Sequence, residues 1–206
     1  GSFVSNQDSG FYIRRLHSLL GVIPLGVFLI QHLLVNFTAT YSEEAFNFAA
    51  GIMGNLPFVI LLEIFIIYLP ILFHGIYGIY IAFTAKMNVG HYSTYRNWMF
   101  VLQRISGVIA FIFIAVHVYQ TRFQVFLGEE VNFQMVEEVV ANPFWLVFWI
   151  VGVVATVFHF ANGLWSFMIT WGITQSNKSQ QLMSYVAILV FLVISTIGLM
   201  AIFAFV

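Results

Sequence analysis

The 206-residue chain contains no cysteine and very little charge. The lack of cysteine excludes disulfides, zinc–thiolate sites, iron–sulfur ligation and haem attached through cysteine. Charged residues make up 7% of the chain and hydrophobic residues 61%, whereas an ordinary soluble domain has about 25% charged residues. So few charges cannot cover a water-exposed surface, and we therefore expect the chain to lie in a lipid bilayer. The net charge of −1 gives no indication of nucleic-acid binding.

Long runs without charge predict five membrane-spanning helices. Each run has at least about 20 residues, which is enough for a helix to cross a hydrocarbon core about 30 Å thick. The expected fold class is therefore all-α and integral to the membrane, because helices satisfy their own backbone groups where lipid cannot. We expect one domain over residues 1–206, with spans at about residues 16–38, 57–85, 98–120, 143–174 and 182–206.

The basic residues indicate how these helices are oriented. Only Arg122 lies on one side of the predicted helices, and the other basic residues lie on the opposite side: Arg14, Arg15, Lys86, Arg96, Arg104 and Lys178. By the positive-inside rule we expect a cytoplasmic N-terminus and an outside C-terminus. The two outer segments, about residues 42–55 and 129–141, are acidic. We expect them to form either short interfacial helices or solvated loops.

Four histidines lie well inside the first four predicted spans, each on a different helix: His32, His74, His117 and His159. Ionisable residues in a membrane are costly and mark function. From a rise of about 1.5 Å per residue and alternating helix directions, His32 and His117 should lie about 6–9 Å below the outer boundary. By the same calculation, His74 and His159 should lie about 25 Å below it. We name these the outer pair (His32, His117) and the inner pair (His74, His159). The remaining histidines, His17 and His91, are expected near the cytoplasmic face.

Two stacked histidine pairs are typical of axial ligation of two haems. An iron with imidazole on both faces has no site for oxygen and therefore transfers electrons. Two histidines without a carboxylate or thiolate would be a poor zinc or copper site. Small residues on the histidine-bearing faces could leave room for haem, although they also simply allow close helix packing. We expect a haem-binding four-helix bundle with the fifth helix at its periphery.

Arginines near the cytoplasmic ends are candidates for binding the inner haem's propionates. Arg104 on the third span, with Arg15 and Ser18 at the start of the first, could meet these carboxylates. Alternatively, the arginines only extend to the interface and set the topology.

Three residues near the outer pair are candidates for a quinone site. Glu63 is the only acidic residue inside a predicted span, and it lies three helical turns before His74, on the same face. Its carboxyl group could exchange protons with a quinone, or it could simply reach outer water. Gln31 and Asn36 lie close to His32 and could hydrogen-bond a quinone carbonyl. A proton-coupled transporter that uses the histidines as a relay would need further buried carboxylates, and Glu63 stands alone.

Three segments resemble the cytochrome b membrane-anchor subunit of succinate dehydrogenase, in the single-chain, five-helix, two-haem type of Gram-positive bacteria. They read FYIRRLHSLLGVIPLGVFLIQHLLVN, RNWMFVLQRISGVIAFIFIAVHV and VFHFANGLWSFMITWGI. The resemblance covers nearly the whole chain. It implies that the inner haem b is held by His74 and His159 and the outer haem b by His32 and His117, which agrees with the pairing by depth.

The resemblance also implies a complex in a bacterial cytoplasmic membrane. A flavoprotein carrying FAD and an iron–sulfur subunit would bind the cytoplasmic face, with His91 at that docking surface. This chain would pass electrons from the iron–sulfur subunit through the inner and then the outer haem to menaquinone. It has no dinucleotide fingerprint or phosphate loop, so succinate chemistry belongs to the partners. The reverse reaction, as in a quinol:fumarate reductase, remains an alternative because the sequence does not set the direction.

Overall fold

The apolar segments form long helices, and the computed structural model describes residues 2–84 and 94–206, with side chains from residue 9 onward. No strand occurs in these two ranges. The helices are α1 (Ser2–Val22), α2 (Pro24–Phe37), α3 (Glu43–Gly54), α4 (Val59–Leu62), α5 (Leu69–Thr84), α6 (Tyr95–Gln120), α7 (Phe133–Val140), α8 (Pro143–Thr170) and α9 (Asn177–Ala204). A π-helix at Glu63–Tyr68 joins α4 to α5, and 3-10 helices at Thr38–Thr40 and Arg122–Leu127 follow α2 and α6.

Five stretches of the described residues are long and apolar enough to cross a membrane, which confirms the all-helical, five-span fold class. They are Ser9–Thr40, Val59–Thr84, Tyr95–Leu127, Pro143–Thr170 and Asn177–Ala204. The first and third extend beyond the predicted bounds because the helices continue into polar flanks. The fourth stops short of residue 174 because Gly172 adopts a left-handed conformation with φ 69°, which ends a helix. Lys86 and His91 lie outside the described residues.

The first span consists of two helices, a break that we did not expect from the sequence. Helix α1 ends at Val22, and Pro24 occupies the first turn of α2. Proline has no backbone N–H and is tolerated in the first turn of a helix, where that group needs no partner within the helix. The break separates the part of the span that carries His17 from the part that carries His32.

The first four spans form a closed bundle, as predicted. Helix α1 packs against α5 and α8, and α6 packs against α5 and α8, so each of the four has two neighbours in the ring. Helix α9 lies outside this ring and packs against α8 and α2. Its approach to α8 is close, because a Cβ atom at Gly198 would lie 2.9 Å from Val153 Cγ1. The fifth span is therefore peripheral.

Both outer segments contain helices, which decides between the two expected alternatives. The Ser42 hydroxyl accepts a hydrogen bond from Ala45 N (3.0 Å) and caps α3, while Asn132 Oδ1 accepts one from Met135 N (3.0 Å) and caps α7. The two helices are joined where Phe133 N donates to Asn47 Oδ1 (2.8 Å).

Helices α3 and α7 pack onto the end of the bundle where α2 and α6 end and α8 begins. They do so through a cluster that we name the outer cap. The outer cap consists of Ala39, Phe46, Phe113, Val136, Val140, Trp149, Ile202 and Phe205. Its members come from both outer helices and from α6, α8 and α9, so it ties the outer segments to the bundle.

We expect Phe46→Ala to destabilise the outer cap. Phe46 is 3% exposed, and removing a buried phenylalanine ring typically costs about 3–5 kcal/mol. The free energy of unfolding of the purified protein in detergent checks this. Phe48→Ala is the matched control, since Phe48 lies on the same helix and is 72% exposed. Equal losses in the two variants would contradict the packing described for α3.

Candidate haem centres

The structure brings the four intramembrane histidines together as two separate pairs. The ring centroids of His32 and His117 are 5.9 Å apart, with 74° between the ring planes. Those of His74 and His159 are 6.0 Å apart, with 73° between the planes. Metal–nitrogen bonds to histidine are about 2 Å long, so two opposed ligand nitrogens are separated by roughly twice that distance and the ring centres by somewhat more. Both separations fit two axial ligands of one metal atom.

The candidate ligands occur as pairs and not as larger groups. In residues 2–84 and 94–206, no group of three or more histidine, cysteine, aspartate or glutamate side chains is arranged to hold a metal ion. A haem iron needs only two axial protein ligands, because the macrocycle supplies the other four. The donor sets therefore fit haem.

Hydrogen bonds to backbone carbonyls orient both rings of the inner pair. His74 Nδ1 lies 2.8 Å from the carbonyl oxygen of His17, and His159 Nδ1 lies 3.0 Å from that of Gln103. A carbonyl oxygen can only accept, so each Nδ1 must carry the proton and donate it. Each Nε2 therefore keeps a free lone pair. This is the usual arrangement of a metal-binding histidine, whose second nitrogen is held by an outer partner.

An amide network, which we did not predict from the sequence, fixes the segment that holds His159. Gln103 Nε2 donates to the His159 carbonyl (3.0 Å). Asn162 Nδ2 donates to Gln103 Oε1 and to the Met99 carbonyl, both at 3.0 Å. Asn162 is buried, and Ser106 Oγ also lies 3.4 Å from His159 Nδ1. The available signal was the presence of two amide side chains within spans, one of them three residues after a candidate ligand.

Aromatic packing surrounds the outer pair. The His117 ring contacts Trp149 edge-on, with 4.8 Å between centroids, and stacks on Phe113 at 5.5 Å. His32 stacks on Phe28 at 5.4 Å. His117 Nδ1 is buried and has no hydrogen-bond partner in the part of the chain that the structure describes. Because Trp149 and Phe113 belong to the outer cap, the cap and the outer pair form one packed unit.

His17 lies beside the inner pair, where we had expected only a position near the cytoplasmic face. Its ring stacks on that of His74, with 4.1 Å between centroids and 5° between planes. Its Nε2 is buried and has no hydrogen-bond partner in residues 9–84 and 94–206. His17 therefore contacts a candidate ligand through its ring and its carbonyl. The break at Pro24 leaves it on α1, the helix next to α5.

Unpartnered N–H groups lie at the same end of the bundle. Arg15 Nε and Trp171 Nε1 are both buried, and neither has a hydrogen-bond partner among the described residues. They belong to one cluster, since the Arg15 guanidinium carbon lies 4.8 Å from the Trp171 ring centre. Buried donors without partners are costly, and two of them beside a positive charge fit a carboxylate. Among the described residues, neither Arg104 nor Ser18 makes a hydrogen bond or ion pair that would compete for such a group.

Glu63 forms a bidentate ion pair with Arg122. Arg122 Nε donates to Glu63 Oε2 and Arg122 Nη2 to Glu63 Oε1, both at 2.6 Å. The two side chains are 25% (Arg122) and 16% (Glu63) exposed. We had treated Arg122 only as the single outer basic residue and had placed Glu63 on the face of His74. The π-helix that starts at Glu63 interrupts the α-helical spacing on which that placement depended.

The other two quinone candidates have different surroundings. Asn36 Nδ2 donates to the His32 carbonyl (2.8 Å) within its own helix. Gln31 Nε2 donates to the thioether of Met53 (3.2 Å), a weak acceptor. Gln31 also lines an open apolar groove of about 470 Å³ between α2 and α3. The groove is lined by Val27, Ile30, Gln31, Leu34, Val35, Thr38 and Ala49.

Comparison with known proteins decides the family. Residues 84–199 match the family model described as the succinate dehydrogenase/fumarate reductase transmembrane subunit. This chain belongs to that family. It is also 58% identical, over 196 residues, to the succinate dehydrogenase cytochrome b558 subunit of Bacillus subtilis (strain 168). The match covers 95% of this chain and 97% of that relative. The resemblance read from the three segments is thus confirmed, and the chain is a bacterial membrane protein.

We expect the Glu63–Arg122 pair to stabilise the packing between the second span and the end of the third. Hydrogen bonds to charged groups contribute about 1.5–3 kcal/mol, so Glu63→Gln and Arg122→Gln should each lower the free energy of unfolding by about that amount. The double variant should lose less than the sum of the two, because both remove the same contact. Additive losses would contradict the pair. Glu137→Gln, which changes an exposed carboxylate, is the control.

Proposed function

We propose that this chain is the dihaem b membrane anchor of a succinate dehydrogenase, and that it transfers electrons from an iron–sulfur subunit to menaquinone. The observation that carries the proposal is the meeting of four histidines from a closed bundle as two pairs, 5.9 and 6.0 Å apart. The name of the relative, a cytochrome b558 subunit, supports haem b as the cofactor. Bound haem with two imidazole ligands supplies one-electron transfer and leaves no open position for oxygen.

The chain's own residues hold and orient the two groups. His74 and His159 would bind the inner iron through Nε2, since each Nδ1 is held by a carbonyl oxygen. His32 and His117 would bind the outer iron. The outer cap packs against His117 through Trp149 and excludes water from that side.

The unpartnered N–H groups of Arg15 and Trp171 support a propionate-binding role at the inner haem. Two charge-assisted hydrogen bonds to a carboxylate would satisfy both donors. Arg104 and Ser18 are further candidate contacts. This end of the bundle also carries most of the basic residues, so we place it at the cytoplasmic face with the N-terminus. Electrons would then pass from the inner to the outer haem.

The soluble partners would bind that cytoplasmic face. The family description, a transmembrane subunit of succinate dehydrogenase or fumarate reductase, supports a complex with an FAD flavoprotein and an iron–sulfur subunit. The succinate site belongs to those partners, and this chain contributes electron transfer and quinone reduction to the enzyme. The proposed docking role of His91 concerns a residue outside the described ranges.

We place the menaquinone site near the outer pair, at the groove beside α2. Within the described part of the chain, the Gln31 amide donates only to a thioether, so a quinone carbonyl would be a better acceptor for it. The groove is apolar and open, as the membrane-embedded part of a quinone requires. Asn36 would steady the turn that carries His32. Glu63 would exchange protons with the quinone as one half of its ion pair with Arg122.

The reverse direction, menaquinol oxidation coupled to fumarate reduction, is the second candidate. The matching family model covers both succinate dehydrogenases and fumarate reductases, which supports this alternative. The direction depends on the reduction potentials of the haems and the quinone. Steady-state rates of the intact complex with a menaquinone analogue, measured in both directions, decide between the two.

We expect each pair to control one haem. His74→Ala and His159→Ala should each lower the haem content of the complex from two to one and remove the same component from a redox titration followed by visible absorption. His32→Ala and His117→Ala should remove the other component. His17→Phe is the control and should keep both haems, because it retains an aromatic ring over His74. Retention of two haems in the alanine variants, or loss of the same haem from both pairs, would refute the assignment.

We expect Gln31→Leu to weaken menaquinone binding. The loss of one hydrogen bond, worth about 1 kcal/mol, corresponds to a rise in KM of about fivefold. Succinate oxidation by the complex with a menaquinone analogue measures this change, while reduction of a dye that accepts electrons before the haems should be unaffected. Gln124→Leu removes an exposed amide outside the groove and is the control. An unchanged KM in Gln31→Leu would argue against this groove.

A further inference from the structure

Two helices that face the inner pair share one local arrangement. On α1, the carbonyl of His17 accepts a hydrogen bond from His74 Nδ1, and Gly21 follows four residues later. On α6, the carbonyl of Gln103 accepts one from His159 Nδ1, and Gly107 follows four residues later. We name each combination of a carbonyl and a glycine a notch. We propose that the two notches position the inner haem ligands, and that Gly21 and Gly107 are positioning residues for that haem.

The first notch receives the His74 ring. A Cβ atom built on Gly21 would lie 2.5 Å from His74 Cε1 and 3.1 Å from His74 Nδ1. Carbon atoms in van der Waals contact are about 3.5–4.0 Å apart. Any side chain at Gly21 would therefore push the ring away from the His17 carbonyl and lengthen the hydrogen bond that fixes its proton on Nδ1.

The second notch receives the His159 ring in the same way. A Cβ atom built on Gly107 would lie 2.8 Å from His159 Cε1 and 3.1 Å from His159 Nδ1. The backbone that carries this ring is held in place, because the Gln103 side chain is hydrogen-bonded to the His159 carbonyl and to Asn162. The same contact between glycine and Cε1 thus occurs twice, on two different helices.

The four-residue spacing has a physical reason. In an α-helix, the carbonyl of residue i accepts from the N–H of residue i+4, and the two residues lie on one face. The second lone pair of that carbonyl can accept another donor. A ring that donates to it must approach over residue i+4, and a glycine there leaves the approach open. A notch is therefore a way for an intact helix to hold the imidazole of its neighbour.

The outer pair has no such arrangement in the described residues. His117 Nδ1 is buried without a partner. Among the described glycines, only Gly21 and Gly107 have a ring of either pair as the nearest neighbour of an added Cβ atom. Substitution at either notch should therefore act on one haem and leave the other as an internal reference.

The inference rests on the proposed dihaem function and is tested on the intact complex in membranes. We expect Gly21→Ala and Gly107→Ala to shift the midpoint potential of the inner haem and the largest g value of its ferric electron paramagnetic resonance signal, or to remove that haem. This follows because ligand orientation and outer hydrogen bonds tune haem iron. The outer haem should keep both its potential and its signal.

Two control variants distinguish the effect of substitution in a notch from a general loss of packing. Gly51→Ala should change neither haem, because a Cβ atom there has open space. Gly152→Ala introduces a contact with Phe113, which stacks on His117, and should act on the outer haem instead. If Gly107→Ala does not assemble, Gln103→Leu loosens the segment that carries the carbonyl without adding an atom to the notch, and should also shift the inner haem alone.

The outcomes distinguish this inference from the proposed function. A wild-type complex without two bis-histidine haems refutes both. If the wild type has two such haems but the inner haem keeps its potential and signal in both Gly21→Ala and Gly107→Ala, the notches alone are refuted. Where Gly107→Ala does not assemble, Gln103→Leu takes its place in this comparison. Equal shifts of both haems in the glycine variants also refute them, because they would show a general loss of packing.

Discussion

The hydrogen bond from an imidazole Nδ1 to a backbone carbonyl of the neighbouring helix is the interaction on which the bundle's inner level depends. Because the carbonyl can only accept, the bond fixes the proton on Nδ1 and leaves Nε2 free for a metal. It also requires the two helices to be close. The contacts from His74 to α1 and from His159 to α6 thus set both the chemical state of the rings and the geometry of the ring of helices.

Different interactions hold the rings of the inner pair and those of the outer pair in place. Inner rings are held by carbonyls and an amide network that includes Gln103 and Asn162. Outer rings are held by aromatic packing, and Trp149 links His117 to the outer cap. Hydrogen bonding to the ligands and the polarity around them are separate means of tuning haem iron. Two chemically identical haems in these places would therefore have different surroundings, and we expect their reduction potentials to differ.

The spans and the pairing of the histidines could be predicted from the sequence, whereas rotation about each helix axis could not. Apolar run length and a fixed rise per residue are local properties, so the spans and the two histidine levels follow from them. The partners of Gln103 and Arg122 depend on which face each helix turns to its neighbours, and no single helix contains that information. Pro24 did carry a local signal for a helix start, and it was obscured by the continuous hydrophobicity around it.

Glu63 illustrates how one local irregularity changes a functional interpretation. An α-helix over the whole span would keep Glu63 on the face of His74, whereas the π-helix from Glu63 to Tyr68 widens the turn and changes that relation. The carboxylate meets Arg122 instead, at the end of the third span. Most polar side chains near the outer pair thus have strong partners within the chain. Among the residues that the structure describes, Gln31 is hydrogen-bonded only to a thioether and keeps a donor that a quinone carbonyl can satisfy better. This argues for its groove as the place where the quinone would bind.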